Sequence, residues 1–241
     1  MQVGEGDKMN VDELLEQYTA GRRDFREAIL RDIDLEQAQL PGINLISADL
    51  REANLRKTRL IQAQLGNANL KWINLSEATL IRANLLQANL IGANLIFAIL
   101  CQTNLEKANL SWAKLIGADL RESNLKQATL SDTKLISAEL GKANLCGANL
   151  IEANLTLANL EQTDLHLANL TEAKLVGANL RGANLSRAIL CKANLETADL
   201  RKANLRGADL SEAMLCGANL EGANLDGAIQ SRAIQFCIRQ L

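Results

Sequence analysis

A large apolar residue recurs at every fifth position of this chain. The run opens at Phe25 and passes through Leu30, Leu35 and Leu40 to Leu225 without a miss, and 40 of its 41 centres are Leu. Two residues before each centre stands a mostly small residue, Ala at 32 of the 40 positions between Ala28 and Ala223. The departures are Ile33, Ile43, Thr58, Ile73, Thr103, Ser123, Thr133 and Thr163. Asn or Asp most often separates the pair, so the unit is A-(N/D)-L-x-x, as in Ala148-Asn149-Leu150-Ile151-Glu152.

Period five suits neither regular element. In an α-helix, successive centres would step by about 140° and form no single face. In a continuous strand, residues five apart point to opposite sides. A short extended segment followed by a corner resolves the conflict. Ala and Leu, two apart, then share the inward face and the Asn points away. Repetition winds the chain into a coil whose turns pair as parallel strands do, about 4.8 Å apart. The interior becomes layers of small and medium side chains. Outward apolar residues recur at both 15 and 20 residues, for example Ile46/Ile61 and Ile96/Ile116, so the spacing leaves three-sided and four-sided coils open.

Tandem A-(N/D)-L-x-x units over residues 25–225 resemble the pentapeptide-repeat family, common in cyanobacteria. The resemblance implies an all-β solenoid: a right-handed, four-sided (quadrilateral) parallel β-helix with four units per coil. About ten coils would then make a rod of roughly 50 Å. Residues 14–25, LLEQYTAGRRDF, are also similar to the opening of cyanobacterial members, a heterocyst regulator among them.

A stacked coil leaves bare backbone at each end, so caps are expected. Residues 1–9 read as a flexible leader and 10–24 as a capping helix. Asn10 is its N-cap with Glu13 as capping-box partner, Val11, Leu14, Leu15 and Tyr18 form the apolar face, and Gly21 is the stop. The β-helix spans 25–228. The register then fails at Gln230, and residues 229–241 read as a C-terminal cap, or as a contact that makes a homodimer of an otherwise monomeric protein.

Composition fits this picture. Hydrophobic residues make up 48% of the chain but aromatics only 2%, as expected when the interior has no room for rings. The net charge of −2 gives no electrostatic case for nucleic acid or for a membrane surface. Residues 83–104 carry no charge, but the amides of Asn84, Asn89, Asn94 and Asn104 argue against a membrane span there. The first residues are polar, without the apolar stretch of a signal peptide, and a cytoplasmic location is expected.

The sequence offers no chemistry. His166 is alone at an outward corner. Cys101, Cys146, Cys191 and Cys216 each follow a centre Leu, so they point outward, spaced too far apart to bridge one another, and free thiols are expected. No phosphate-binding glycine loop, zinc-ligand spacing or nucleophile motif is present. The reading is therefore no enzyme, no cofactor, no metal, and scattered charges that solvate the surface.

Partner binding is expected at outward apolar positions. A belt runs through Ile81, Leu86, Ile91, Ile96 and Cys101, with Phe97 and Ile99 added. In a four-sided coil Ile96, Ile116, Ile136 and Val176 fall in one column beside Phe97 and Leu157, and Trp72 and Trp112 share another around Gly92. Packing between neighbouring coils is an equally open reading of the same residues. The leading function is a regulatory or protein-interaction scaffold. The alternative the resemblance implies is a DNA mimic acting on DNA gyrase or topoisomerase, which would need a strongly acidic surface. Arg181, Arg187, Lys192, Arg201, Lys202 and Arg206 weigh against that.

Overall fold

A computed structural model describes residues 9–233. The chain pairs with itself at one fixed interval. Parallel bridges join Asp24 to Asn44, Ile29 to Asp49, Asp34 to Asn54, and so on unbroken to Asp209 and Ile229. The interval is 20 residues, or four pentapeptides per coil, and this settles the number of sides that outward spacing left open.

One five-residue unit shows how the pairing works. Leu30 N–H donates to the Asp49 carbonyl one coil on at 2.8 Å, and Asp49 N–H returns to the Ala28 carbonyl at 2.9 Å. The corner closes with Ala38 N–H on the Leu35 carbonyl at 3.0 Å. Its second residue has φ between +54° and +70° at every corner from Glu27 to Arg232. That is the geometry of a type II turn, which favours Gly at this place and Pro before it. Pro41-Gly42 meets both preferences. Most corners instead hold a residue with a Cβ in the left-handed region, at about 1 kcal/mol or more each. Stacking holds them there, since each such amide donates to the next coil, as Asp32 N–H does to the Arg51 carbonyl at 3.0 Å.

The core is a continuous column of Leu and Ala. Every centre from Leu30 to Leu215 is buried, as are the Ala positions from Ala48 to Ala213. Hydroxyls replace Ala without a penalty because each finds a carbonyl. Thr103 donates to Leu100 O and Ser123 to Leu120 O, both at 2.6 Å.

The Asn between Ala and Leu points outward but is not idle. Its side-chain oxygen accepts the amide of the first corner residue, as Asn54 Oδ1 does from Arg56 N–H at 3.2 Å. Its Nδ2 donates to the Asn one coil earlier, giving the ladder Asp34, Asn54, Asn74, Asn94. The repeated Asn thus sets each corner and ties neighbouring coils together.

Helix α1 (Val11–Thr19) covers the N-terminal end. Asn10 accepts Glu13 N–H at 2.9 Å, while the Glu13 carboxylate turns to Gln17 Nε2 at 3.0 Å instead of completing a capping box. Leu14 and Tyr18 are buried, and the Tyr18 hydroxyl donates to the Pro41 carbonyl at 2.7 Å. The Arg23 guanidinium lies 3.9 Å from the Tyr18 ring centroid and Arg22 lies 4.7 Å from that of Phe25. Of the expected C-terminal cap (229–241), residues 234–241 lie outside the described residues, as do residues 1–8 of the expected leader. No described helix is long and apolar enough to cross a membrane.

Asp49 and Asp119 each anchor a corner arginine. Arg51 binds Asp49 twice at 2.9 Å, and with Arg31 it holds that carboxyl at about 2, against the opposing pull of partial burial. Arg121 does the same for Asp119, also at about 2. Both are depressed from the unfolded value of about 3.9. Their contribution is therefore complete above that value and is lost as pH falls toward 2. Thermal melts should lose stability between pH 4 and pH 2, and an Asp49→Asn/Asp119→Asn variant should lose less over that interval than wild type.

Candidate functional surface

With the interior filled, any function must lie on the outside. Trp72, Phe97, Trp112 and Leu157 are each more than half exposed, and Ile99 is 38% exposed. The stacking places them. Phe97 N–H donates to Ile116 O, Gly117 N–H to Ile136 O, and Leu157 N–H to Val176 O. Ile96, Phe97, Ile116, Ile136, Leu157 and Val176 therefore lie along one corner. Trp72 N–H donates to Ile91 O, Gly92 N–H to Ser111 O, and Trp112 N–H to Ser131 O. Trp72, Ile91 and Trp112 lie along the preceding corner. The side between these corners is three residues wide, Ala113-Lys114-Leu115 in one coil, or about 10 Å. Ile99 sits on the following side.

The belt does not gather into one surface. Ile81, Leu86, Ile91 and Ile96 are half-buried and occupy the four different corners of the rod. At the first corner position a side chain rests partly against its neighbours one coil away, so apolar residues there also serve packing. The second corner position differs, because its side chain leans onto the next coil. A Cβ built on Gly92 would lie 2.1 Å from the Trp72 ring, one on Gly117 2.5 Å from Phe97, and one on Gly177 2.9 Å from Leu157. Trp72, Phe97 and Leu157 are thus each seated over a Gly one coil on. Trp112 has Asp132 beneath it instead. Gly92→Ala should displace the Trp72 ring and cost about 1–2 kcal/mol in all. Gly42→Ala meets nothing within 4 Å and carries only the backbone part. Tryptophan emission and urea melts of the two variants check this, since the chain has only two Trp.

His166 is less isolated than its sequence position implies. It is half-buried, and Nδ1 lies 2.9 Å from both the carbonyl and the hydroxyl of Ser186, one coil on. The carbonyl can only accept, so Nδ1 carries the proton. The Ser186 hydroxyl donates to Asn184 Oδ1 at 2.7 Å. A protonated ring nitrogen facing a hydroxyl that already donates elsewhere does not activate a nucleophile.

The cysteines follow expectation in part. Cys101, Cys146 and Cys191 are free, so the four outward cysteines form no bridge among themselves. Cys216 is held in a disulfide, so the expectation of free thiols fails there. Burial, aided by Asp119, pushes the Cys101 thiol up to about 11, which makes it a poor nucleophile. Among the described residues no His, Cys, Asp and Glu cluster could hold a metal ion.

Several surface residues carry no signal in the linear sequence. Leu167 is 53% and Ile189 41% exposed, on other parts of the rod. Lys114, Lys134 and Lys174 form an exposed column down the side between the two apolar corners. The 20-residue coil brings them together.

The chain matches the family model described as pentapeptide repeats, in 8 copies over residues 28–67, 68–106, 103–140, 128–166, 168–207 and 193–229. Among solved structures it is similar to HetL, a pentapeptide repeat protein involved in heterocyst differentiation regulation from the cyanobacterium Nostoc sp. strain PCC 7120. Identity is 38%, coverage is 94% of either chain, and the TM-score is 0.62. A trypsin-treated form of QnrB1, a plasmid-mediated fluoroquinolone resistance protein, is 20% identical over 76% of this chain and 91% of its own, with TM-score 0.58. That second likeness concerns the fold alone. Among curated proteins no match is found.

Proposed function

This chain belongs to the pentapeptide-repeat family, and from that premise we propose that it is a non-catalytic scaffold that binds a protein partner on the outside of a right-handed, four-sided β-helix. One observation carries the reading. The inward residues are consumed by packing, while Trp72, Phe97, Trp112 and Leu157 remain more than half exposed on two adjacent corners. Exposed Trp and Phe on a rigid backbone are suited to anchor a protein interface, because ordering them loses little further freedom. The involvement of HetL in heterocyst differentiation regulation supports the same direction. The near-neutral charge and the unpaired lysines of this surface fit poorly with imitation of a nucleic acid.

The test is affinity capture of the tagged protein from its native host, against a control solenoid of the same repeat with all outward apolar residues replaced by Ser. A protein retained in defined stoichiometry on the native chain and absent from the control is the expected result. Equal recovery on both would overturn the proposal.

A further inference from the structure

We propose, building on the scaffold reading, that the side carrying Lys114 and Lys134 docks an α-helix of the partner protein that presents a row of carboxylates flanked by apolar residues. Three observations converge on this side.

The first is charge. Several arginines elsewhere on the rod are paired, Arg51 with Asp49, Arg56 with Glu36 and Glu77, Arg121 with Asp119 and Arg201 with Asp199, whereas most lysines are not. What sets Lys114 and Lys134 apart is that they stand directly opposite each other on successive coils. Among the described lysines only Lys57 and Lys192 enter ion pairs. Lys114 and Lys134 are exposed and make none. Asp132 is the only carboxylate on this side and its two corners over these coils, so the lysines outnumber it. A solvated charge needs no partner, but two stacked like charges repel each other and are relieved by an incoming carboxylate.

The second is the apolar frame. Trp112 stands at one edge of Lys114 and Ile116 at the other, with Trp72, Phe97 and Ile136 continuing the two edges. Aromatic side chains flanking a strip of fixed charge give the anchors and the register of an interface.

The third is spacing. Lys114 and Lys134 are one coil apart, about 4.8 Å. Residues three or four apart on a helix face are about 5–6 Å apart, whereas same-face residues of a strand are nearly 7 Å apart. A helix about 10 Å across also fills a side about 10 Å wide.

The test places p-benzoylphenylalanine at Phe97 in one protein, and at Leu167 or Arg181, on other corners, in two more. Each is irradiated in the native host, and the captured segment is identified by mass spectrometry. The probe at Phe97 is expected to capture a segment with acidic residues three or four apart. A synthetic peptide of that segment should shift the emission of purified protein, whose two Trp both border this side. Lys114→Glu/Lys134→Glu should weaken its binding at least about tenfold. Capture of a neutral or basic segment, or binding indifferent to charge reversal, overturns the proposal. Capture only at Leu167 or Arg181 overturns this assignment and leaves the scaffold reading intact. Capture at none of the three contradicts both.

Discussion

Replacing Ala148 by Phe is expected to lower stability by about 3 kcal/mol or more, the upper range for an overpacked core. Ala148 is 1% exposed. Its carbonyl accepts Asn169 N–H from the next coil at 2.9 Å, and its own N–H donates to Leu145 O at 2.9 Å. Ala128 and Ala168 occupy the same position in the coils on either side. With coils about 4.8 Å apart, a phenyl ring finds no room without parting these bonds. Ala148→Ser is the contrasting variant. Ser123, at an equivalent position, donates to Leu120 O, so a hydroxyl at 148 should find the Leu145 carbonyl and cost under about 1 kcal/mol. Urea denaturation followed by circular dichroism separates the two. A Phe variant as stable as wild type would mean the interior is far looser than its burial indicates.

The second large effect is expected at the N-terminal end. Leu14 is fully buried under α1, beside Tyr18 and the first coil. Leu14→Ala should cost about 3 kcal/mol from lost burial and the cavity left behind. In a stack where each coil touches only its neighbours, the damage should stay local. Amide exchange should therefore accelerate first at Phe25 and Leu30, whose N–H groups donate to Asn44 and Asp49, with little change near Leu120. Uniform acceleration along the rod would show that the stack melts as one cooperative unit.

Most of the fold was legible because one rule governs every unit. The five-residue period requires Ala and Leu inward, and the burial of Leu30 through Leu215 follows from it. The number of sides was not legible from outward spacing. Ile61 and Ile96 follow local packing needs at their own corners and carry no count of sides; the backbone pairing of Asp24 with Asn44 does. The work of the Asn was hidden for a related reason. A residue that points outward reads as solvated, yet Asn74 accepts from Ser76 and donates to Asn54. The surface was the least legible part. Trp72 and Phe97 stood out as rare aromatics, but their seating over Gly92 and Gly117 joins positions 20 apart. Lys114 and Lys134 resemble any other surface lysine until the coils are stacked.

Inward residues make the fold and outward residues make the function, and the two should be separable. The most direct measurement pairs a thermal melt with partner capture for a Phe97→Ala/Trp112→Ala variant. The melting temperature should stay within a few degrees of wild type, because both side chains are more than half exposed. Capture of the partner should fall at least about tenfold, as expected when aromatic anchors are removed. Undiminished capture by a fully folded variant would contradict the assignment of function to these corners.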